Sequence, residues 1–337
     1  MTRIFTDGAE YRDVLFWTTV TAAIVVVASN QSIGNWCYES DLNGGYCTKQ
    51  FTSMAEGYWR TRLRWSAPSG SYFEFPVVLN GSTQVAAIKF NASYFPALYI
   101  GTTEVANTGI TLNASTWYLF EAHLKIHPTE GVFELKINGL MAASFYGNTK
   151  YSTYDVFNGF RFNGSDGGVR GTNQQIHIDD FGLNDTNGDV DNSWLGSAFI
   201  EALFPNGEGD LLQWTSSSGS HFADVDETPH DTDATYIQAL TSTTKQDRLH
   251  LFPFVEANKV VQRICVESRM RDTIGGSVQI KLGVKTGGNV YLSSASRVLS
   301  NSYTRVLGDE ILTNPTSGSV WDKTALDALQ IVLQADL

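Results

Sequence analysis

Charged side chains, and basic ones above all, are scarce in this chain of 337 residues. Asp, Glu, Lys and Arg make up 17% of it, whereas soluble domains usually have about 25%. The 23 basic residues face 35 acidic ones, and none of the basic residues lies between Arg170 and Lys245, a stretch with 13 acidic residues. Because Lys and Arg contacts to phosphates supply most of the affinity for nucleic acids, the sequence predicts no nucleic-acid partner. The acidic stretch indicates a solvated surface, a cation site or a surface for a basic partner.

Cysteine and long apolar runs are also rare. Cys37, Cys47 and Cys265 are irregularly spaced, so they form neither a disulfide framework nor a zinc motif, although a bridge between Cys37 and Cys47 stays open. The longest apolar run, residues 14–29, has about 16 residues, fewer than the roughly 20 that span a membrane. It is rich in β-branched residues and predicts two buried strands, with no membrane insertion. The N-terminus is acidic where a signal peptide is basic, so we expect synthesis in a reducing cytosol.

The common catalytic motifs are missing. The sequence has no GxSxG, GxxxxGK[ST], GxGxxG or HExxH motif, and no Glu-x-Asp-x-x-Glu strand of the kind that jelly-roll glucanases carry. Asp179 and Asp180 are neighbours on one predicted strand, so they point to opposite faces, with one toward solvent. They cannot form the facing carboxylate pair that glycoside hydrolysis requires. These absences favour a protein without enzymatic activity.

What is present is a pattern of short alternating strands separated by Gly, Asn and Pro. In residues 115–126, "STWYLFEAHLKI", one face carries Glu121, His123 and Lys125 and the other is apolar, as in a half-buried antiparallel strand. We interpret His123 as a hydrogen-bonding or surface residue. Residues 131–147 predict a hairpin that turns at Asn138 and Gly139. Residues 30–57 have no such pattern and are predicted to be irregular.

The predicted fold class is all-β: an antiparallel jelly-roll sandwich followed by a smaller β-rich domain with one short helix. The sandwich comprises residues 1–184, residues 185–196 form a linker, and residues 197–337 form the second domain. In that domain, residues 197–210 predict one strand, residues 206–235 an acidic loop, and residues 321–329 the helix before a final strand.

The linker has the residue types and spacing of a calcium loop. Oxygen ligands suit Ca²⁺, and the candidates occupy alternate positions: Asp185, Asn187, Asp189 and Asp191. An EF-hand is excluded because Val190 and Gly196 stand where that loop requires Gly and Glu. A different calcium loop and a polar connection between domains both stay open. No other cofactor is predicted.

Trp36 and Trp214, two of the eight tryptophans, lie in loop-like segments. An exposed indole ring can stack on a sugar ring, since it is flat and largely apolar. These two residues are therefore the candidate glycan-stacking positions.

Several segments resemble known families. The order of four segments is similar to that in concanavalin A-like (laminin G-like) jelly rolls: "YWRTRLRW", "STWYLFEAHLKI", "GVFELKINGLMAASFYG" and "IHIDDFGLND". Other segments resemble structural proteins of tailed bacteriophages: "MTRIFTDGAEYRD", "NSWLGSAFIEALFPNGEGDLLQWT", "DVDETPHDTDATYI" and "WDKTALDALQIVL".

The resemblance implies a virion component without catalytic activity, made in the cytoplasm of the host bacterium and assembled in multiple copies. It would lie on the outside of the particle, as a tail-associated or fibre-like protein or as a capsid decoration protein. Its partners would be other virion proteins and further copies of itself. The alternatives are a carbohydrate-binding protein that recognises a glycan of the host surface, and a polysaccharide depolymerase.

Overall fold

The computed structural model describes residues 3–14, 16–21, 24–28, 32, 34–40, 45–66, 73–91, 93–162, 175–187, 189–240, 244–255, 259–273, 275 and 278–336. The chain divides into two compact units, Met1–Glu201 and Ala202–Leu337. The predicted linker, residues 185–196, lies inside the first unit.

The first unit is built from strands and short connections. Its strands are β1 (Arg3–Asp7), β2 (Thr19–Val20), β3 (Ile24–Val27), β4 (Cys37–Ser40), β5 (Cys47–Met54), β6 (Glu56–Trp65), β7 (Phe73–Asn80), β8 (Thr83–Phe90), β9 (Pro96–Ile100), β10 (Thr103–Asn107), β11 (Tyr118–Lys125), β12 (Gly131–Ile137), β13 (Leu140–Gly147), β14 (Phe157–Phe162) and β15 (Ile176–Asn184).

These strands form two antiparallel sheets. The eight-stranded sheet has the order β13-β12-β11-β6-β15-β4-β3, with β1 also paired to β15. The seven-stranded sheet has the order β10-β9-β8-β7-β14-β5-β2. Alternate side chains of both sheets meet in one aromatic-rich core, which includes Trp59 and Trp65 of β6 and Phe160 of β14. The first unit is thus a jelly-roll sandwich, in which each sheet buries one face against the other.

The predicted hairpin is present as β12 and β13. Asn138 and Gly139 have φ angles of 52° and 82°, the left-handed pair that a tight hairpin turn requires. The Asn138 side chain accepts a hydrogen bond from the backbone N–H of Leu119 at 2.9 Å, and its own N–H donates to the Leu119 carbonyl at 2.8 Å. The turn is therefore tied to β11, which fixes the register of three neighbouring strands.

Two predictions about the first unit need correction. Residues 30–57 are not an irregular segment, because they contain β4 and β5. In β5 the Thr and Ser side chains face outward and the strand pairs with β14, so its alternation is too polar to stand out in the sequence. The apolar run at residues 14–29 does contain two strands, but β2 and β3 belong to different sheets.

The second unit is smaller and also rich in strands. Its elements are β16 (Pro205–Leu212), β17 (Thr215–Ser216), one 3₁₀ turn (Phe222–Asp224), β18 (Ile237–Gln238), β19 (Lys245–Leu251), β20 (Glu267–Met270), β21 (Gln279–Thr286), β22 (Asn289–Leu292), β23 (Arg297–Val298), β24 (Thr304–Leu307), α1 (Lys323–Asp327) and β25 (Gln330–Asp336).

A six-stranded sheet, β16-β19-β25-β21-β22 with β23 beside β21, carries the core of this unit. Helix α1 forms where the sequence predicts it: the Asp322 side chain caps it by accepting the Ala325 N–H at 2.8 Å. Leu326 and Leu329 are buried, and the Trp321 indole N–H donates to the Ile311 carbonyl at 3.0 Å. The all-β fold class with one short helix is thus confirmed for the described residues.

The start of the second unit differs from the prediction. Residues 197–204 form no strand, and the strand begins at Pro205 and continues into the segment predicted as a loop. Proline is accepted as the first residue of a strand, and glycine where another backbone approaches closely. Gly209 meets that condition, since a Cβ there would collide with the Arg248 carbonyl of β19. No helix in the described part of the chain is long and apolar enough to cross a membrane.

Candidate functional site

A polar and aromatic cluster lies on the face of the eight-stranded sheet that points away from the core. Four neighbouring strands contribute to it, because Tyr58 of β6 is paired with His123 of β11, and His123 with Glu134 of β12. Glu134 in turn is paired with Ser144 of β13, next to Tyr146. We call the following residues the His123 cluster: Glu56, Tyr58, His123, Glu134, Tyr146 and Trp194.

His123 is held on both sides by carboxylates. Its Nδ1 lies 3.1 Å from Glu134 Oε2, and its Nε2 lies 2.9 Å from Glu56 Oε1. Its ring stacks on Tyr58 with 4.0 Å between the ring centroids and 5° between the planes. Three contacts therefore fix this buried imidazole on the sheet face, which supports the interpretation of His123 as a hydrogen-bonding residue.

Tyr146 is the exposed end of the cluster. Its hydroxyl donates a hydrogen bond to Glu134 Oε1, and the residue is 65% exposed. The hydrogen bond and the negative charge of Glu134 raise the pKa of Tyr146, so the phenol stays protonated at neutral pH. Tyr146 thus presents an open aromatic ring whose hydroxyl is already oriented.

Trp194 completes the cluster from the segment after β15. Its ring meets Tyr58 edge-on at 5.4 Å between centroids, and Lys136 Nζ lies 3.7 Å from its ring centroid. Exposed Met141 lies next to Lys136 in the β12–β13 ladder. The face therefore combines aromatic surface with charges of both signs.

Residues 193–200, which we call the strap, are held on the same sheet face by buried charges. Arg60 donates to the Gly196 carbonyl at 3.2 Å, and Glu121 accepts the Gly196 N–H at 2.6 Å. Arg62 donates to the Ser197 carbonyl at 3.3 Å. These contacts fix the strap and thereby the position of Trp194.

Asp179 and Asp180 also accept hydrogen bonds from backbone N–H groups. The expectation that one of these two side chains faces solvent is wrong. Their exposures are 1% and 0%. The β15–β6 register shifts between Asp179 and Gly182, and Asp180 has a φ of 51°, so the simple alternation of strand side chains breaks at this point. Asp179 accepts the N–H groups of Ser32 and Asp180, at 3.3 and 2.8 Å.

Asp180 links β15 to β6 and to the strap. It accepts the Ile200 N–H at 2.8 Å and a hydrogen bond from Arg62 Nε at 3.0 Å. Burial raises the pKa of Asp179 to about 9, with a further contribution from the charge of Asp180. Burial also raises the pKa of nearby Glu10 to about 7, although the N–H groups of Asn35 and Trp36 oppose the rise.

The first two candidate calcium ligands, Asp185 and Asn187, are hydrogen-bonded to each other. Asp185 Oδ1 and Oδ2 accept hydrogen bonds from the backbone and the side-chain amide of Asn187, at 3.0 and 2.9 Å. Within the described residues, no group of three or more His, Cys, Asp or Glu side chains is placed to hold a metal ion, and this includes Asp189 and Asp191. The calcium loop stays a hypothesis.

The two candidate stacking tryptophans lie in different units and are half-buried. The Arg12 guanidinium covers the Trp36 ring at 3.9 Å from the centroid. Trp214 packs against the core of the second unit, and its indole N–H donates to the Lys245 carbonyl at 3.3 Å. Trp36 is not among the residues of the His123 cluster in its unit. All three cysteines are free thiols, with Cys37 and Cys47 buried.

The sequence pattern predicts a hydrogen-bonding role for His123 but does not reveal the partners of its imidazole. The alternation in β12 could have placed Glu134 and Lys136 on the polar face, and Trp194 lies in the non-strand segment that was considered only for calcium. Tyr146 had no such signal, because its strand is nearly all apolar or small.

Comparisons with known proteins find similar solved structures but no family. No family model matches the chain, and no curated protein matches it. Among solved structures, an endo-beta-1,4-glucuronan lyase from the fungus Trichoderma reesei is similar, with 15% identity over 57% of this chain and 99% of that one and a TM-score of 0.43. The alginate lyase Aly36B is 11% identical over 55% of this chain and 98% of the lyase chain, with a TM-score of 0.40. Basic winged bean lectin, solved with Tn-antigen, is 11% identical over 53% of this chain and 96% of the lectin chain, with a TM-score of 0.38.

These comparisons correct one prediction. The expectation of a protein without enzymatic activity does not stand, because the similar structures include a glucuronan lyase and alginate lyases. At TM-scores below 0.5 the likeness assigns neither a reaction nor a substrate to this chain.

Proposed function

We propose that the first unit binds carbohydrate through the His123 cluster. The observation that carries this proposal is Tyr146, an exposed aromatic ring on a rigid strand, with its hydroxyl fixed by Glu134. A sugar ring has an apolar face of C–H groups and a rim of hydroxyls. It can therefore stack on an aromatic ring while donating hydrogen bonds to carboxylates beside that ring.

The polar residues around Tyr146 suit such a ligand. Glu134 and Glu56 offer carboxylate oxygens as acceptors, and Lys136 offers a donor. Ser144 of β13, which is paired with Glu134, is exposed on the same face. Their positions are preorganised, since His123 bridges the two carboxylates. Preorganisation reduces the entropy that a binding site loses when its ligand is bound.

The test is a glycan array probed with the whole chain and with Tyr146→Ala. The matched control is Tyr99→Ala, since Tyr99 on the seven-stranded sheet also donates its hydroxyl to a glutamate, Glu104, at 2.9 Å. We expect binding to a subset of glycans, a loss of at least tenfold in Tyr146→Ala, as about 1.4 kcal/mol of lost contact gives, and no loss in the control. Equal binding by all three proteins would contradict the proposal.

We further propose that this binding takes place on the outside of a tailed-phage particle, where the protein would meet a glycan of the host surface. The support is the sequence resemblance in four segments, residues 1–13, 192–215, 224–237 and 321–333. Peptides of this chain should then be found by mass spectrometry in purified particles, in multiple copies per particle. Absence of these peptides from purified particles would contradict the proposed location on a phage particle. It would leave the glycan-binding proposal unaffected.

A further inference from the structure

Strand β13 is an edge strand of the eight-stranded sheet, and its amino-acid composition is unusual for an edge strand. Its residues, "LMAASFYG", include no charge and no proline. Lys, other charges, proline and short length are the common means by which sheet edges avoid pairing with another chain. An eight-residue uncharged edge has none of these.

The other sheet ends of the first unit are protected. At the far end of the same sheet, β3 has four residues. In the seven-stranded sheet, β2 has two residues, and the five-residue strand β10 carries the charge of Glu104. Of these edge strands, β13 is the one that is both long and uncharged.

The residues of β13 are also accessible. Leu140 and Met141 are 76% and 51% exposed, and Tyr146 is exposed as described. Among the described residues, β13 pairs with β12 alone, so its other edge has backbone groups without a strand partner. The register shift opposite Leu135 and Lys136 lies near Ala142 and leaves residues 143–147 as a regular edge.

We propose that β13 pairs with β13 of a second copy of this chain, antiparallel about a twofold axis, to form one sheet of sixteen strands. Twofold symmetry makes the contact isologous, so each strand meets its own sequence in reverse. The seam has no charges, which lets two chains of net charge −12 approach without facing like charges. The small residues Ala142, Ala143 and Ser144 in the middle of the strand allow the two edges to come together.

The length of the seam sets the strength of the contact. Eight residues at about 3.4 Å each give roughly 27 Å of pairing, which supplies part of the roughly 800 Å² per partner of a stable interface. The dimer is therefore weak and depends on concentration. It would make the outer faces of two sheets continuous, with two His123 clusters on one side.

The test is analytical ultracentrifugation of the whole chain, without glycan, from about 1 μM to about 1 mM, the range of weak association. We expect the mass to double across the series. Ser144→Lys places two positive charges near the twofold axis and should remain monomeric throughout. The control variant Thr103→Lys introduces a lysine on β10, the edge strand of the other sheet, and should dimerise as the wild type does.

Thermal melting establishes that each variant is folded, and Met141→Lys replaces Ser144→Lys if the latter does not fold. A wild type that stays monomeric throughout, or a folded β13 variant that dimerises as the wild type does, would overturn the proposal. Because the measurement contains no glycan, its outcome is independent of the proposed carbohydrate site.

Discussion

The imidazole of His123 lies flat on the phenol ring of Tyr58, with 4.0 Å between the ring centroids. Both nitrogens of the same imidazole face carboxylate oxygens, one of Glu56 and one of Glu134. A single side chain thus connects three strands, and Glu134 extends the connection to Tyr146 on a fourth. The proposed binding face depends on this arrangement.

Replacing His123 with Ala should loosen the cluster. Glu56 and Glu134 would face each other without the donor between them, which we expect to cost about 1 to 3 kcal/mol of unfolding free energy and to weaken glycan binding. Urea denaturation and glycan titration measure the two effects. His123→Gln, which retains one N–H donor, should recover part of each. If His123→Ala is as stable as the wild type, the bridging role is wrong.

The stability of the first unit should fall as the pH rises from about neutral to alkaline values. Burial raises the pKa of Glu10 from 4.5 to about 7 and that of Asp179 from 3.8 to about 9. The folded state therefore holds protons that the unfolded state has already released, so the stabilisation is full below about pH 4 and is lost through those folded-state pKa values. Burial lowers the pKa of His177 to about 4, which offsets the effect of Glu10 below about pH 6.5. Urea midpoints at a series of pH values should therefore decrease from about pH 6.5 to pH 9.

Asp179→Asn removes one of these titrating groups and should flatten the upper part of that curve. The loss of one acceptor for the N–H groups of Ser32 and Asp180 lowers stability at acid pH, so the two curves should converge as the pH rises. A wild-type stability that increases from neutral to alkaline pH would contradict the assignment.

Much of the fold follows from local sequence, but the site depends on details that sequence does not display. The hairpin turn at Asn138 and Gly139 and the short helix within residues 321–329 have short-range causes and were predicted. The pairing of Glu134 with Ser144 depends on the register shift near Ala142, and the burial of Asp180 on another shift in β15. Such irregularities arise from packing between strands far apart in sequence.

Arg62 should be important for holding the strap. It donates to Asp180 and to the Ser197 carbonyl, so Arg62→Met leaves a buried carboxylate with one partner fewer. We expect a loss of about 3 kcal/mol in unfolding free energy and faster proteolysis near the strap. In the double variant with Asp180→Asn the losses should be less than additive. Strict additivity would mean that the two side chains do not interact.

Two glycines provide a matched test of packing. Gly101 and Gly81 both adopt positive φ, 57° and 58°, but only at Gly101 would a Cβ collide with a ring, that of Tyr151. Gly81→Ala should cost about 1 to 2 kcal/mol for the left-handed backbone. Gly101→Ala should cost roughly 1 to 3 kcal/mol more for overpacking. Equal losses in chemical denaturation would place Tyr151 elsewhere.

Calcium binding by the loop at residues 185–191 can be tested by thermal melting. It requires the melting temperature to rise when Ca²⁺ is added and the rise to disappear in the double variant Asp185→Ala/Asp189→Ala, because a ligand that binds the folded state alone stabilises it. Mg²⁺ serves as the control for ionic strength. An unchanged melting temperature in the wild type contradicts the hypothesis.

Amide hydrogen exchange with and without a bound oligosaccharide, chosen from the glycan array, tests the central claim most directly. Strands β12 and β13 and the segment around Trp194 should exchange more slowly in the complex, while β9 and β10 of the other sheet remain unchanged. Protection confined to the seven-stranded sheet or to the second unit would contradict the assignment of carbohydrate binding to the His123 cluster.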